Sequence, residues 1–134
     1  FPLYDPTLPD DVLIVSINPL HRPEVPDSAP EILNRINEIS FNSALLRDLR
    51  AIEFVRRLLS EGTVARGAMK DVLVHLISDD DLMRSLSART KSTPTPMLLD
   101  TLFRAGRKAA TGFLDAHGDD IGHRGSVDLS AMFG

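Results

Sequence analysis

Apolar residues fall along this chain in two spacings, and each spacing predicts a different element. Val12, Leu13, Ile14, Val15 and Ile17 form a run dominated by β-branched side chains and interrupted only by Ser16. Such a run predicts a buried strand over residues 12–17, because a strand covered on both faces needs apolar side chains at successive positions. Asn18-Pro19 ends it, and Pro19, Pro23 and Pro26 remove backbone donors that helix or sheet would need. An ordered loop or lid is expected there. Ser28-Ala29-Pro30-Glu31 then has the spacing of a capping box, with proline in the first turn where a missing N–H costs nothing.

The second spacing starts at that cap. Ile32, Ile36, Ile39, Leu46, Leu49, Ile52, Val55 and Leu59 recur three, four or seven positions apart, up to a stop near Gly62. That is the period of one helix face and implies about 30 helical residues with or without a break, Asn42-Ser43 being the best candidate for one. Leu33, Phe41, Ala44, Leu45, Phe54 and Leu58 widen the stripe, so the helix is expected to pack on more than one side. Val72, Leu73, Val74, Leu76 and Ile77 predict a second buried strand over residues 71–77. Strand, long helix and strand make a βαβ unit, which is parallel and right-handed as a rule.

Ser78 and Asp81 suggest a capped short helix over residues 79–86, and residues 87–95 a polar connector. Thr95-Pro96 is an N-cap and first-turn pair for a final helix that carries Leu99, Leu102, Phe103, Gly106, Ala109, Ala110, Phe113 and Leu114 and stops at Gly118. Small residues in mid-stripe imply close packing. The tail, residues 119–134, is polar and expected to be partly mobile, with Val127, Leu129, Met132 and Phe133 as docking side chains. The fold class is therefore α/β, mostly helical, in a single domain.

Two apolar parallel strands cannot stand alone, since both faces and both edges need cover. The missing strands could come from an upstream part of the same polypeptide, from another subunit, or be unnecessary in a self-contained fold with fewer strands. The strand at the very start of the chain, with nothing before it to pair with, favours the first, and Phe1 in place of Met fits a beginning inside a longer reading frame.

Composition narrows the function classes. The 134 residues are 43 % hydrophobic and 25 % charged, which is a folding composition with room for one core. The 15 basic and 19 acidic residues are interleaved and sum to a net charge of -4, so no nucleic-acid partner is expected. The absence of cysteine removes disulfides, thiolate catalysis and cysteine-based zinc sites. No apolar run approaches the roughly 20 residues of a membrane-spanning helix, so a soluble or peripherally membrane-associated protein is expected.

Candidate chemistry is sparse. There is no Gly-x-Ser-x-Gly, phosphate loop, His-Glu-x-x-His helix, dinucleotide fingerprint or EF-hand spacing. Of the histidines, His117 and His123 flank Gly118-Asp119-Asp120 and could be imagined as metal ligands, but a helix-end histidine before a solvated turn explains them better. His75 lies inside an apolar strand, where a hydrogen-bonded buried histidine is the ordinary case. His21, in the proline-rich loop, is the only one placed after a strand's carboxyl end, where α/β sheets take their ligands. Asp79-Asp80-Asp81 reads as a helix start rather than a cation site. Arg47, Arg50, Arg56 and Arg57 alternate with Asp48 and Glu53 as on a solvated face.

The order of segments carries a resemblance. Asp10-Asp11-Val12-Leu13-Ile14-Val15-Ser16-Ile17-Asn18-Pro19, the proline-containing loop, and Ile32-Leu33-Asn34-Arg35-Ile36-Asn37-Glu38-Ile39-Ser40-Phe41-Asn42 resemble the C-terminal half of bacterial patatin-like phospholipases. The likeness continues through Leu45-Leu46-Arg47-Asp48-Leu49-Arg50 to the later strand and helices; the connector around Lys91-Ser92-Thr93-Pro94-Thr95-Pro96 is more proline-rich than the pattern. The resemblance implies a three-layer α/β/α fold and a parent that hydrolyses acyl esters with a serine on a Gly-x-Ser-x-Gly elbow and an aspartate in an Asp-Gly-Gly or Asp-Gly-Ala turn. All of these normally precede a segment like residues 11–19, so no catalytic, cofactor or metal residue is carried over to this chain, which alone is expected to be inactive. The implied partners are the upstream polypeptide or a cleaved companion chain, and an acyl lipid substrate. The alternative is a free-standing interaction module that binds through the over-wide helix face.

Overall fold

The computed structural model describes residues 4–86, 90 and 93–133. In chain order these form β1 (Asp11–Val15), α1 (Ala29–Ser60), β2 (Leu73–Ile77), α2 (Asp80–Ser85), α3 (Pro96–His117), a 3-10 turn (Gly118–Asp120) and α4 (Leu129–Phe133). The chain is α/β and largely helical, with one parallel two-stranded sheet in which Val12 pairs with Val74 and Leu13 with His75. Residues 87–89 and 91–92 of the expected connector lie outside the described residues.

One open alternative is decided and two helix caps are corrected. The helix is not broken at Asn42-Ser43: α1 runs unbroken for 32 residues. Asn42 does not compete for its own helix backbone, because its side-chain amide donates to the Pro19 carbonyl at 2.8 Å. The capping box is only half formed, with Glu31 accepting from the Asp27 N–H at 3.2 Å while the Ser28 side chain caps nothing. The cap of α2 is Asp79, whose carboxylate accepts from the Leu82 N–H, and not Ser78. The Thr95 cap of α3 is as expected, accepting from the Leu98 N–H at 3.2 Å.

Alternation along the strands assigns the two faces. Val12, Ile14 and Val74 meet Leu45, Leu49 and Ile52 of α1, joined by Val72 and Leu129, and this is the core. The opposite face carries Leu13, Val15 and His75, and there Phe113 of α3 sets the edge of its ring against the His75 imidazole, with centroids 5.9 Å apart. That cover stops at β2. Leu13, Val15 and Ile17 are all more than half exposed, Val15 at 64 %.

The edges differ in the same way. On the side of β2 away from β1, the tail returns against the edge at one point: Ser126 and Val127 N–H both donate to the Val74 carbonyl at 3.0 and 3.2 Å. Gly125 makes this approach possible, since a Cβ there would lie 3.1 Å from the Val74 backbone N and O. Residues 118–133 thus supply Leu129 to the core, with Val127 and Phe133 half-buried against it. On the other side, the parallel register turns the N–H and C=O of Leu13 and Val15 away from β2, and no described residue pairs with them.

Candidate functional site

Two polar clusters organise the ends of this small sheet, and the sequence reading singled out neither. The first fixes the proline-rich loop. Asn34, Glu38 and Asn42 sit four residues apart and so form one line down α1. Glu38, only 3 % exposed, receives Arg22 in a fork: Nε to Oε2 at 3.0 Å and a terminal nitrogen to Oε1 at 2.8 Å. Asn34 adds a donor to Oε1 at 3.2 Å, while Asn42 holds Pro19 one turn further on. Arg22 is raised above its ordinary basicity by the bond to Glu38. The line of Asn34, Glu38 and Asn42 on α1 thus holds the loop after β1. The sequence signal was present, as polar residues at helical spacing within an otherwise apolar stripe.

The second cluster fastens the tail. His75, 1 % exposed, stands between Asp11 and Ser126, with Nε2 2.9 Å from Asp11 Oδ1 and Nδ1 3.2 Å from Ser126 Oγ. The tautomer with hydrogen on Nε2 satisfies both, donating to the carboxylate and accepting from the hydroxyl. Asp11 also accepts the Gly122 N–H at 2.8 Å. A serine, a histidine and an aspartate in line have the form of a hydrolase triad, but acyl transfer needs free donors where the oxyanion develops. Here the Ser126 and Val127 N–H groups are already bonded to Val74, and Phe113 closes over the imidazole. The cluster is a fastening between β1, β2 and the tail. Asp11 came forward only as part of the strand, and Ser126 not at all, because nothing local predicts a contact spanning 51 residues.

The remaining candidates fall where their ordinary readings put them. His117 ends α3 and bonds Asp120 at 2.9 Å, and Asp120 also holds Arg124 at 2.7 Å. His123 is exposed. His21 lies on the loop, where its carbonyl accepts from Arg84 at 3.2 Å. Asp79, Asp80 and Asp81 form the acidic start of α2. Arg56 pairs with Asp71, Arg57 lies over Phe54 and Arg50 over Phe133, so these arginines are spread over separate partners. Among the described residues no three His, Asp or Glu side chains converge as metal ligands, and no helix is long and apolar enough to cross a membrane.

No family model, curated protein or solved structure matches this chain.

The carboxylates Asp11 and Asp120 make one prediction. Asp11 is held below the usual carboxylate range, chiefly by the Gly122 N–H and then by His75, and Asp120 likewise by His117 and then Arg124. A depressed folded-state value gives stability that is present above the unfolded value of about 3.9 and is lost as pH falls through the folded one. The share of the tail attachment that these two carboxylates supply is therefore expected to be lost in acid, below pH ~4. The Gly122 amide resonance should titrate with a midpoint under that value; a midpoint at or above it would contradict the assignment.

Proposed function

We propose that this chain is the C-terminal structural segment of a patatin-like acyl-ester hydrolase of three-layer α/β/α architecture. It completes the sheet and walls the acyl site, while the serine and aspartate that perform the chemistry lie upstream of Phe1. The observation that carries this reading is the one-sided cover of β1. Its core face is packed by α1, yet its outer face leaves Leu13 and Val15, and Ile17 just beyond its end, more than half exposed. A strand of this composition is stable when another strand lies along its far edge and a helix lies over that face. Both would come from outside residues 1–134.

Within that parent, the loop of residues 19–30 follows β1 at its carboxyl end, which is where such sheets place ligands. Its fork to Glu38 and its bond to Asn42 support a rigid wall over a floppy connection.

The reading is tested in the polypeptide that contains this chain. It is expected to hold an Asp-Gly-Gly or Asp-Gly-Ala shortly before Phe1 and a Gly-x-Ser-x-Gly further upstream, to hydrolyse p-nitrophenyl acyl esters, and to lose that activity when the elbow serine becomes alanine. Residues 1–134 alone are expected to be inactive. Absence of both upstream motifs, or ester hydrolysis by this chain alone, would reject it. Replacing residues 19–30 with a short Gly/Ser loop is further expected to change the preferred acyl chain length.

A further inference from the structure

The first half of α1 reverses the usual order of a surface helix. Each residue of a helix is rotated by about 100° from the last, so Leu33 and Ile36 lie nearly opposite the line of Asn34, Glu38 and Asn42. Ile32 and Ile39 flank Ile36 one turn before and one turn after. Glu38 and Asn42 are buried and bonded to the loop after β1, whereas the four apolar side chains are between 46 % and 60 % exposed. Polar groups inside and isoleucines outside are unfavourable in water unless the outer side meets a partner.

The outer side has the pattern of a seam between helices. Ile32, Ile36, Ile39 and Ser43 are four, three and four residues apart, a 3.5-residue repeat. The charged residues within that span, Arg35 and Glu38, bond to each other and to Arg22, so the seam itself carries no charge before Arg47. Arg47 is exposed and has no ion pair among the described residues, and Arg50 follows it one turn later. The opposite end is acidic, with Glu24, Asp27 and Glu31 and no basic residue over positions 24–31. Such a face, apolar in the middle with unlike charges at its two ends, is complementary to itself when reversed.

We propose that this face of α1 pairs with the same face of a second copy, antiparallel about a two-fold axis between Ile36 and Ile39. Ile36 of each copy then meets Ile39 of the other. Counting outward from the axis, Arg47 falls opposite Ser28, beside Asp27, and Arg50 opposite Val25, beside Glu24. An anionic lipid surface fits this face less well, because the acidic end would meet like charge. The pairing uses the outer side of α1 and not β1, so it stands independently of the acyl-hydrolase reading. Two faces of this length bury roughly 1,000 Å² in all, the lower bound for a specific interface, and a dissociation constant on the order of 10 μM is expected.

Sedimentation equilibrium of the polypeptide that contains this chain tests the pairing. A reversible equilibrium between monomer and dimer is expected at micromolar concentrations. Ile36→Glu, at an exposed position, should weaken dimerisation at least tenfold and leave the helical circular dichroism unchanged. Arg47→Asp should weaken it about tenfold, and adding Asp27→Arg should restore most of the loss, a recovery that requires these two ends to meet. A protein still monomeric at about 100 μM, a dimer indifferent to Ile36→Glu, or no recovery in the charge-reversed pair would overturn the proposal. A monomer that binds anionic vesicles and loses that binding in Ile36→Glu would overturn it in favour of a lipid surface.

Discussion

Replacing His75 with leucine is expected to lower the free energy of unfolding by roughly 3 kcal/mol, although the new side chain is apolar and of similar size. The imidazole is the middle of a connection from Asp11 in β1 to Ser126 in the tail, and leucine leaves both half-buried partners without it. Loss of a hydrogen bond while one polar partner stays in place costs about 1–3 kcal/mol, more than the bond itself contributes. Ser126→Ala removes only the outer link and should cost about 1 kcal/mol. Because the two side chains share one bond, the double variant should cost less than the sum of the two. Urea denaturation of the four proteins measures this directly. A His75→Leu protein within about 0.5 kcal/mol of the parent would mean that the cluster does not fasten the tail.

Glu38→Ala is expected to cost roughly 2–3 kcal/mol, a little below the range for breaking a fully buried ion pair because Arg22 keeps partial contact with water. The guanidinium loses both bonds of its fork, and Asn34 loses its acceptor. The loop after β1 would then be held by Asn42 at Pro19 and by Arg84 at His21. Limited proteolysis should show new cleavage between residues 20 and 27 in this variant and none in Asn37→Ala, which changes a neighbouring position outside the line of Asn34, Glu38 and Asn42. Equal stability and an unchanged cleavage pattern would show that the fork is dispensable.

The elements themselves could be read from the chain because their causes are local. Val12 to Val15 and Leu73 to Ile77 are strands for the same reason of continuous apolar, β-branched composition, and α1 and α3 follow from periodicity and from Pro30 and Thr95-Pro96 at their starts. What could not be read had causes at a distance. Asn42 looks like a helix breaker until the carbonyl 23 residues earlier is seen to take its amide. The polar tail gives no sign that Gly125 will reach the Val74 backbone, since a missing side chain is silent until something packs against it. Asp11, His75 and Ser126 come from three separate segments, and their meeting is a product of the sheet register and the return of the tail, neither of which has a signature of its own.

Closure of one side of the sheet by residues 125–127 also limits how copies of the molecule can stick together. Strand-to-strand polymerisation requires two free sides, one to receive and one to offer, so that each addition exposes a new place for the next. Here one side is already taken by the chain's own backbone at Val74. A strand adding along that side of β2 would first have to displace the bonds that Ser126 and Val127 donate to Val74, so addition there is opposed by the chain's own tail.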